Sequence, residues 1–133
     1  MYSPTDAHLV AAKRTLRYLK GTLTHGLLFR PSSLTLQAYA DADWVGDPVN
    51  RRSTSGYVIF LDSTPITWVS KKQCTVSRSS TEAEYRSLAS ATVESFWIHM
   101  VLKDFGVFLL DPSLLWCNNH STLALPSNPM FHA

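Results

Sequence analysis

Between Leu34 and Trp44 apolar and polar positions alternate: Leu34, Leu36 and Ala38 interleave with Thr35, Gln37 and Tyr39, and the run closes on Asp41 and Asp43. A period of two predicts a strand, in which residues two apart share a face, so the two acids project the same way. Ser55–Leu61 (SGYVIFL) and Ile66–Lys71 (ITWVSK) predict two more strands. The first follows a loop rich in Gly, Pro, Asn and Ser (GDPVNRRSTSG), the second a turn at Asp62-Ser63-Thr64-Pro65. Connections this short imply an antiparallel meander.

Helical periodicity brackets that meander. Ser3 and Pro4 suit a cap and a first helical position, with Asp6 completing a variant capping box. Leu9, Ala12, Leu16 and Leu19 then recur on one side while Lys13, Arg17 and Lys20 line another, and Gly21 ends the run. A longer pattern opens at Ser77–Thr81 (SRSST), where Ser79 and Glu82 have capping-box spacing. Its predicted apolar stripe is Tyr85, Leu88, Thr92, Phe96 and Met100, widened by Ala89, Val93 and Trp97, with Gly106 as the stop. About 25 residues is long for a globular helix, so a break near Glu94 or Ser95 is allowed for. Glu84 lies in the first turn, at the edge of the stripe, where it points along the sheet towards the end of the first strand.

Ser113–Cys117 (SLLWC) predicts a short apolar strand. After a crossover helix it prefers to run parallel beside the first strand, which brings Asn118 and Asn119 level with Asp41. A brief helix over Ser121–Ser127 follows. The fold class is therefore α/β: three antiparallel strands, a parallel fourth, and the main helix packed on the sheet.

Composition narrows the picture. The 133 residues are 45% hydrophobic and suit one compact domain. No apolar run approaches ~18 residues, and MYSPTDAH resembles no secretory leader, so an intracellular chain, cytoplasmic or nuclear, is expected. Cys74 and Cys117 lack metal or disulfide-scaffold spacing and read as buried reduced thiols. The net charge of +2 hides an asymmetry, because residues 1–86 hold eleven of the twelve Lys and Arg. That modest excess suits either a polyanion partner or an ordinary solvated surface. The four tryptophans read as core, and the five histidines have no ligand-like spacing. An isolated Asp-x-Asp is equally an ordinary strand end. It gains meaning only if other acids converge on it.

Six blocks supply that context: YADADW, RRSTSGYV, WVSKKQ, SRSSTEAEYRSLA, WCNNHS and SNPMFHA. In this order and spacing they resemble the ribonuclease H region of copia-like retrotransposon Pol polyproteins. PTDAHLVAAKRTLRYLKGT resembles the segment joining reverse transcriptase to it. The resemblance divides the chain into a connection segment (1–30) with its basic amphipathic helix and a ribonuclease H-like domain (31–133).

It implies a four-carboxylate site holding two Mg²⁺ ions that cuts the RNA strand of an RNA/DNA hybrid. Asp41 matches the first acid, and Glu84 rather than Glu82 matches the second. Asn118 stands where WCDN would supply the third, and the fourth belongs to a segment past residue 133. The expected metal ligands are thus Asp41 and Glu84 alone, with nuclease activity impaired. Ser79, Ser80 and Thr81 serve either as caps or as contacts to phosphates and 2′-OH groups, and Arg51, Arg52 and Arg78 either as phosphate contacts or as solvated charges. Asp43 either supports Asp41 or is merely exposed. The resemblance further implies the reverse transcriptase portion of the same polyprotein as a partner, and a fifth strand outside SLLWC. Without that strand the chain is expected either to be marginal in stability or to associate through Leu114–Cys117. A non-catalytic nucleic-acid-binding module and a decayed structural remnant are the competing readings.

Overall fold

The computed structural model describes residues 3–31 and 33–127. Its elements are α1 (Asp6–Gly21), β1 (Leu36–Asp43), β2 (Thr54–Leu61), β3 (Thr64–Lys72), α2 (Ser80–Asp104), β4 (Leu114–Cys117) and α3 (His120–Ser127). Four strands form one sheet in the order β3-β2-β1-β4. β1–β2 and β2–β3 are antiparallel, while β4 lies parallel to β1 with Ala40 beside Cys117. This is the mixed α/β sheet the sequence predicts.

The turn before β3 is shorter than expected. Asp62 takes a positive φ of 53°, and Leu61 already pairs with Thr64, so Thr64 and Pro65 belong to the strand. Proline is tolerated because β3 is an edge strand, and a register shift falls at Ile59/Phe60, beside it. Asp62 and Ser63 suffice to reverse the chain.

The core lies between one face of the sheet (Leu36, Ala38, Ala40 and Ile59) and α2 (Leu88, Ala91 and Ile98). The face α2 uses differs from the predicted stripe. Ala83, Glu84, Ser87, Leu88, Ala91, Ser95 and Ile98 are buried, whereas Tyr85, Val93, Phe96, Trp97 and Met100 are exposed. At 100° per residue the buried face is rotated by about 150° from the expected one, with Leu88 common to both. Side-chain size explains the rotation. Ala83, Ser87, Ala91 and Ser95 recur every four residues and let the helix backbone approach the sheet, and Ser87 Oγ donates to the carbonyl of Gly56 at 2.9 Å. Ser95 Oγ bonds the carbonyl of Ala91 within the helix (2.8 Å). The helix runs unbroken for 25 residues.

α1 begins later than Ser3 and Pro4 suggest. Thr5 is its cap, and the Thr5 N–H donates to His8 Nδ1 at 3.0 Å. Its predicted apolar side, including Leu9, Leu16 and Leu19, is exposed, and among the described residues α1 packs against no other element. The tryptophans also depart from expectation, since all four are roughly half exposed. Register places Trp68 and Trp116 on the sheet face opposite α2, together with Tyr39 and Phe60, and Trp97 stands on the outer side of α2. Both thiols are free, Cys117 half-buried and Cys74 exposed rather than buried. Among the described residues no helix is long and apolar enough to cross a membrane.

Candidate functional site

Three elements converge at one end of the sheet. β1 delivers Asp41, and the parallel register that sets Ala40 beside Cys117 puts Asn118 next to it. Asn118 Nδ2 lies 3.4 Å from Asp41 Oδ1. α2 brings Glu84 from its first turn to the same place. Glu84 sits at the centre of the packed helix face rather than at its edge, only 6% exposed.

The electrostatics of Glu84 follow from that position. Burial pushes its carboxyl above the usual range, the neighbouring Asp41 carboxylate adds to the rise, and the N–H of Ala42 opposes it. Its Oε2 is buried without a hydrogen-bond partner. A buried carboxylate oxygen left unmatched beside a second carboxylate is costly unless a proton or a cation meets it. A hard divalent cation such as Mg²⁺ fits these oxygens. The amide of Asn118 could add a neutral oxygen if turned over. Among the described residues no group of three or more His, Cys, Asp or Glu side chains comes together, so the site offers a cation two carboxylates and no further acid.

The helix start is held by polar contacts. Ser79 Oγ accepts from the N–H of Glu82 (3.1 Å), so its hydroxyl is engaged as a cap. The Glu82 carboxylate turns back to the Arg78 N–H (2.8 Å) and to Arg86 (2.7 Å), away from the site, and these contacts lower its pKa. Ser80 is exposed, and Thr81 gives its carbonyl to Thr122 Oγ1 of α3 (3.2 Å). Gln73 is a participant that sequence reasoning missed. Its buried amide donates to Ser55 Oγ (2.9 Å) and the Ala83 carbonyl (3.0 Å) and accepts from Ser77 Oγ (2.6 Å), clamping the end of β3 to the start of α2. The only sequence signal was polar residues in a short β–α loop.

The β1–β2 loop borders the same end. Asp47 accepts from the N–H groups of Val49 (2.8 Å) and Asn50 (3.2 Å) and pairs with Lys72. Lys72 first, then those N–H groups, lower its pKa to about 2. The loop so fixed presents Arg51 and Arg52, both exposed, with Arg51 at a φ of 58°. Trp44 Nε1 bonds the Ser77 carbonyl (3.2 Å) and ties the loop to the segment carrying the exposed Arg78. Asp43 is exposed and folds over Gly46, where a Cβ would collide with its carboxylate. Beside Asp41 and Asn118, a cavity of about 570 Å³ opens on the sheet face away from α2, lined in part by Tyr39 and Trp116.

No family model matches the chain. No solved structure matches it. Over an alignment of 134 positions that covers its whole length, it is 48% identical to the retrovirus-related Pol polyprotein from transposon RE1 of Arabidopsis thaliana. It is 37% identical over 131 residues to that from transposon TNT 1-94 of Nicotiana tabacum. The chain spans 9% and 10% of those relatives. It is also 51% identical over 96 residues to secreted RxLR effector protein 161 of Plasmopara viticola, covering 71% of this chain and 68% of that protein.

Proposed function

We infer, from the premise that this chain is homologous to one region of copia-like retrotransposon Pol polyproteins, that it is a ribonuclease H-like domain with an impaired site for hydrolysing RNA in RNA/DNA hybrids. The observation that carries the reading is the unmatched, buried Oε2 of Glu84 beside Asp41, with Asn118 in the adjoining position. Mg²⁺ would be held by Asp41 and Glu84. When bound, divalent ions in such hydrolyses activate water and steady the leaving oxygen. Asp41 and Glu84 supply the negative charge that draws a cation to this end of the sheet, and Asn118 offers an oxygen without charge. At an effective dielectric near 20, one missing unit charge about 4 Å from a dication costs about 8 kcal/mol of attraction, of which even a part lowers the rate by roughly 10².

Arg51, Arg52 and Arg78 ring the same end and suit the phosphates of a hybrid, with Ser80 and Thr81 at the start of α2 beside them. The reverse transcriptase portion of the same polyprotein is the natural neighbour in such a chain. Asn118 gives weight to one second reading, a module that binds hybrids without cutting them.

Incubation with a labelled RNA/DNA hybrid in Mg²⁺ or Mn²⁺ tests both. Turnover at least about 10² below that of an otherwise similar domain with Asp at this position is expected. Asn118→Asp raises it without restoring it fully. Turnover within tenfold of the Asp-bearing domain would refute the impairment. Salt-dependent binding to the hybrid over double-stranded DNA, with no cleavage even in Asn118→Asp, would favour the binding module.

A further inference from the structure

Trp44 alone of the four tryptophans stands at the end of the sheet that carries Asp41 and Glu84, since Trp68 and Trp116 lie on the sheet face away from α2 and Trp97 on the outer side of that helix. It is the first residue past β1, which ends at Asp43. The three residues from Asp41 to Trp44 span at most about 11 Å. Along a duplex that reach is about three base-pair steps.

Backbone and ring are both fixed. Val45, next in the chain, takes a φ of 59°, a left-handed conformation that a β-branched residue rarely adopts. Its N–H donates to the hydroxyl of the fully buried Ser53 at 3.2 Å. Strain of this kind persists only where the surroundings over-determine it, and such places cluster at ligand clamps. The Trp44 indole N–H donates to the Ser77 carbonyl at 3.2 Å. Ser77 is itself held by Gln73, whose amide reaches Ser55 of β2. The ring is therefore tied to the β2–β3 side of the site, away from β4 and Asn118. An indole serving only as a tie would be buried along with its bond. Trp44 is instead 47% exposed, at the end of the sheet that also presents Arg51, Arg52 and Arg78 to solvent.

We propose that Trp44 is a specificity-determining residue for duplex recognition, its exposed ring packing on a sugar in the minor groove of an RNA/DNA hybrid. This rests on the hybrid reading above and deepens it. In an intact duplex the base faces are stacked on one another, so a ring at the protein surface meets sugars. A hybrid takes an A-like form whose minor groove is wide and shallow and displays its sugars and 2′-OH groups. The minor groove of B-form DNA is about 6 Å wide and about 7.5 Å deep. That leaves no room for an indole to lie flat against a sugar inside it while keeping its bond to Ser77. Arginines on phosphates serve both duplexes alike and carry no such information. The mobile cations supply affinity, and the fixed ring supplies discrimination.

The test is fluorescence anisotropy of the 133-residue chain with a labelled RNA/DNA hybrid and with double-stranded DNA of the same sequence, in chelator so that nothing is cut. Wild type should prefer the hybrid. Trp44→Ala should weaken hybrid binding at least about fivefold, the low end for loss of one aromatic contact to a nucleotide. Its binding to double-stranded DNA should stay within about twofold of wild type, which a misfolded chain would not manage. Trp44→Phe, with a ring but no N–H to fix it, should fall between the two. Trp97→Ala should change neither affinity. Equal weakening towards both duplexes would make Trp44 a structural tie and overturn the proposal. So would an undiminished preference in both Trp44 variants, or an equal loss of preference in Trp97→Ala. A wild-type chain without preference for the hybrid would overturn the hybrid reading itself, and the proposal with it.

Discussion

Glu84→Gln separates stability from metal binding at the candidate site. In the folded chain burial and the Asp41 carboxylate raise the Glu84 pKa. A carboxyl with a raised folded pKa favours folding below its unfolded value and loses that contribution as pH rises through the folded value, so at neutral pH the ionised side chain weighs against the fold. Glutamine removes the charge and can donate from its amide to Asp41, a hydrogen bond worth about 0.5–1.5 kcal/mol. At about 3–5 °C per kcal/mol for a domain of this size, Tm should rise by about 2–7 °C in a chelator at pH 7. Mg²⁺ should close that gap or reverse it. With two acidic ligands the site falls at the weak end, Kd about 1 mM, so ~10 mM Mg²⁺ stabilises wild type by about 1.4 kcal/mol, roughly 5 °C. The variant should gain little. Thermal melting by circular dichroism, at constant ionic strength with and without Mg²⁺, measures both effects. The gap between the two chains in chelator should narrow as pH falls through the raised Glu84 pKa. A variant no more stable than wild type in chelator, or one gaining equally from Mg²⁺, refutes the reasoning.

Two further outcomes test the fold and its charges. Ala91→Leu, at a position with no exposure, should cost about 1–3 kcal/mol or more by overpacking α2 against the sheet, while Val93→Lys on the outer face stays within about 0.5 kcal/mol in urea denaturation. Asp47 has a depressed pKa, so its contribution is fully present above its unfolded value near 3.8 and fades as pH falls towards about 2; Asp47→Asn should flatten the acid limb of the stability profile over that window, and an unchanged limb would remove Asp47 as its source.

The strands were readable because alternation in β1 and the apolar runs of β2 and β4 have no competing helical period. Asn118 beside Asp41 followed from one topological preference, that a strand after a crossover helix runs parallel to its neighbour. Thr64 and Pro65 misled because their composition is that of a turn, although an edge strand accepts proline. α2 misled more deeply. Its largest apolar side chains mark the outer side, and the buried face is made of alanine and serine, whose value is closeness rather than hydrophobicity. Glu84's place in the first turn of the main helix already pointed it towards the end of the first strand, and the family resemblance then paired it with Asp41, a pairing that neither residue's spacing implies alone. The Gln73 clamp joins two serine hydroxyls and a backbone carbonyl 4 to 18 residues away and leaves no periodic trace.

α1 has no tertiary support among the described residues. Sixteen residues barely exceed the length at which an isolated helix is marginal in water. Its unwinding is therefore a separate equilibrium from the collapse of the sheet. Heating should fray it gradually, ahead of the cooperative transition, and an amide-exchange profile should show two tiers: near-solvent rates over residues 6–21 and the full global barrier over β1 and the buried turns of α2.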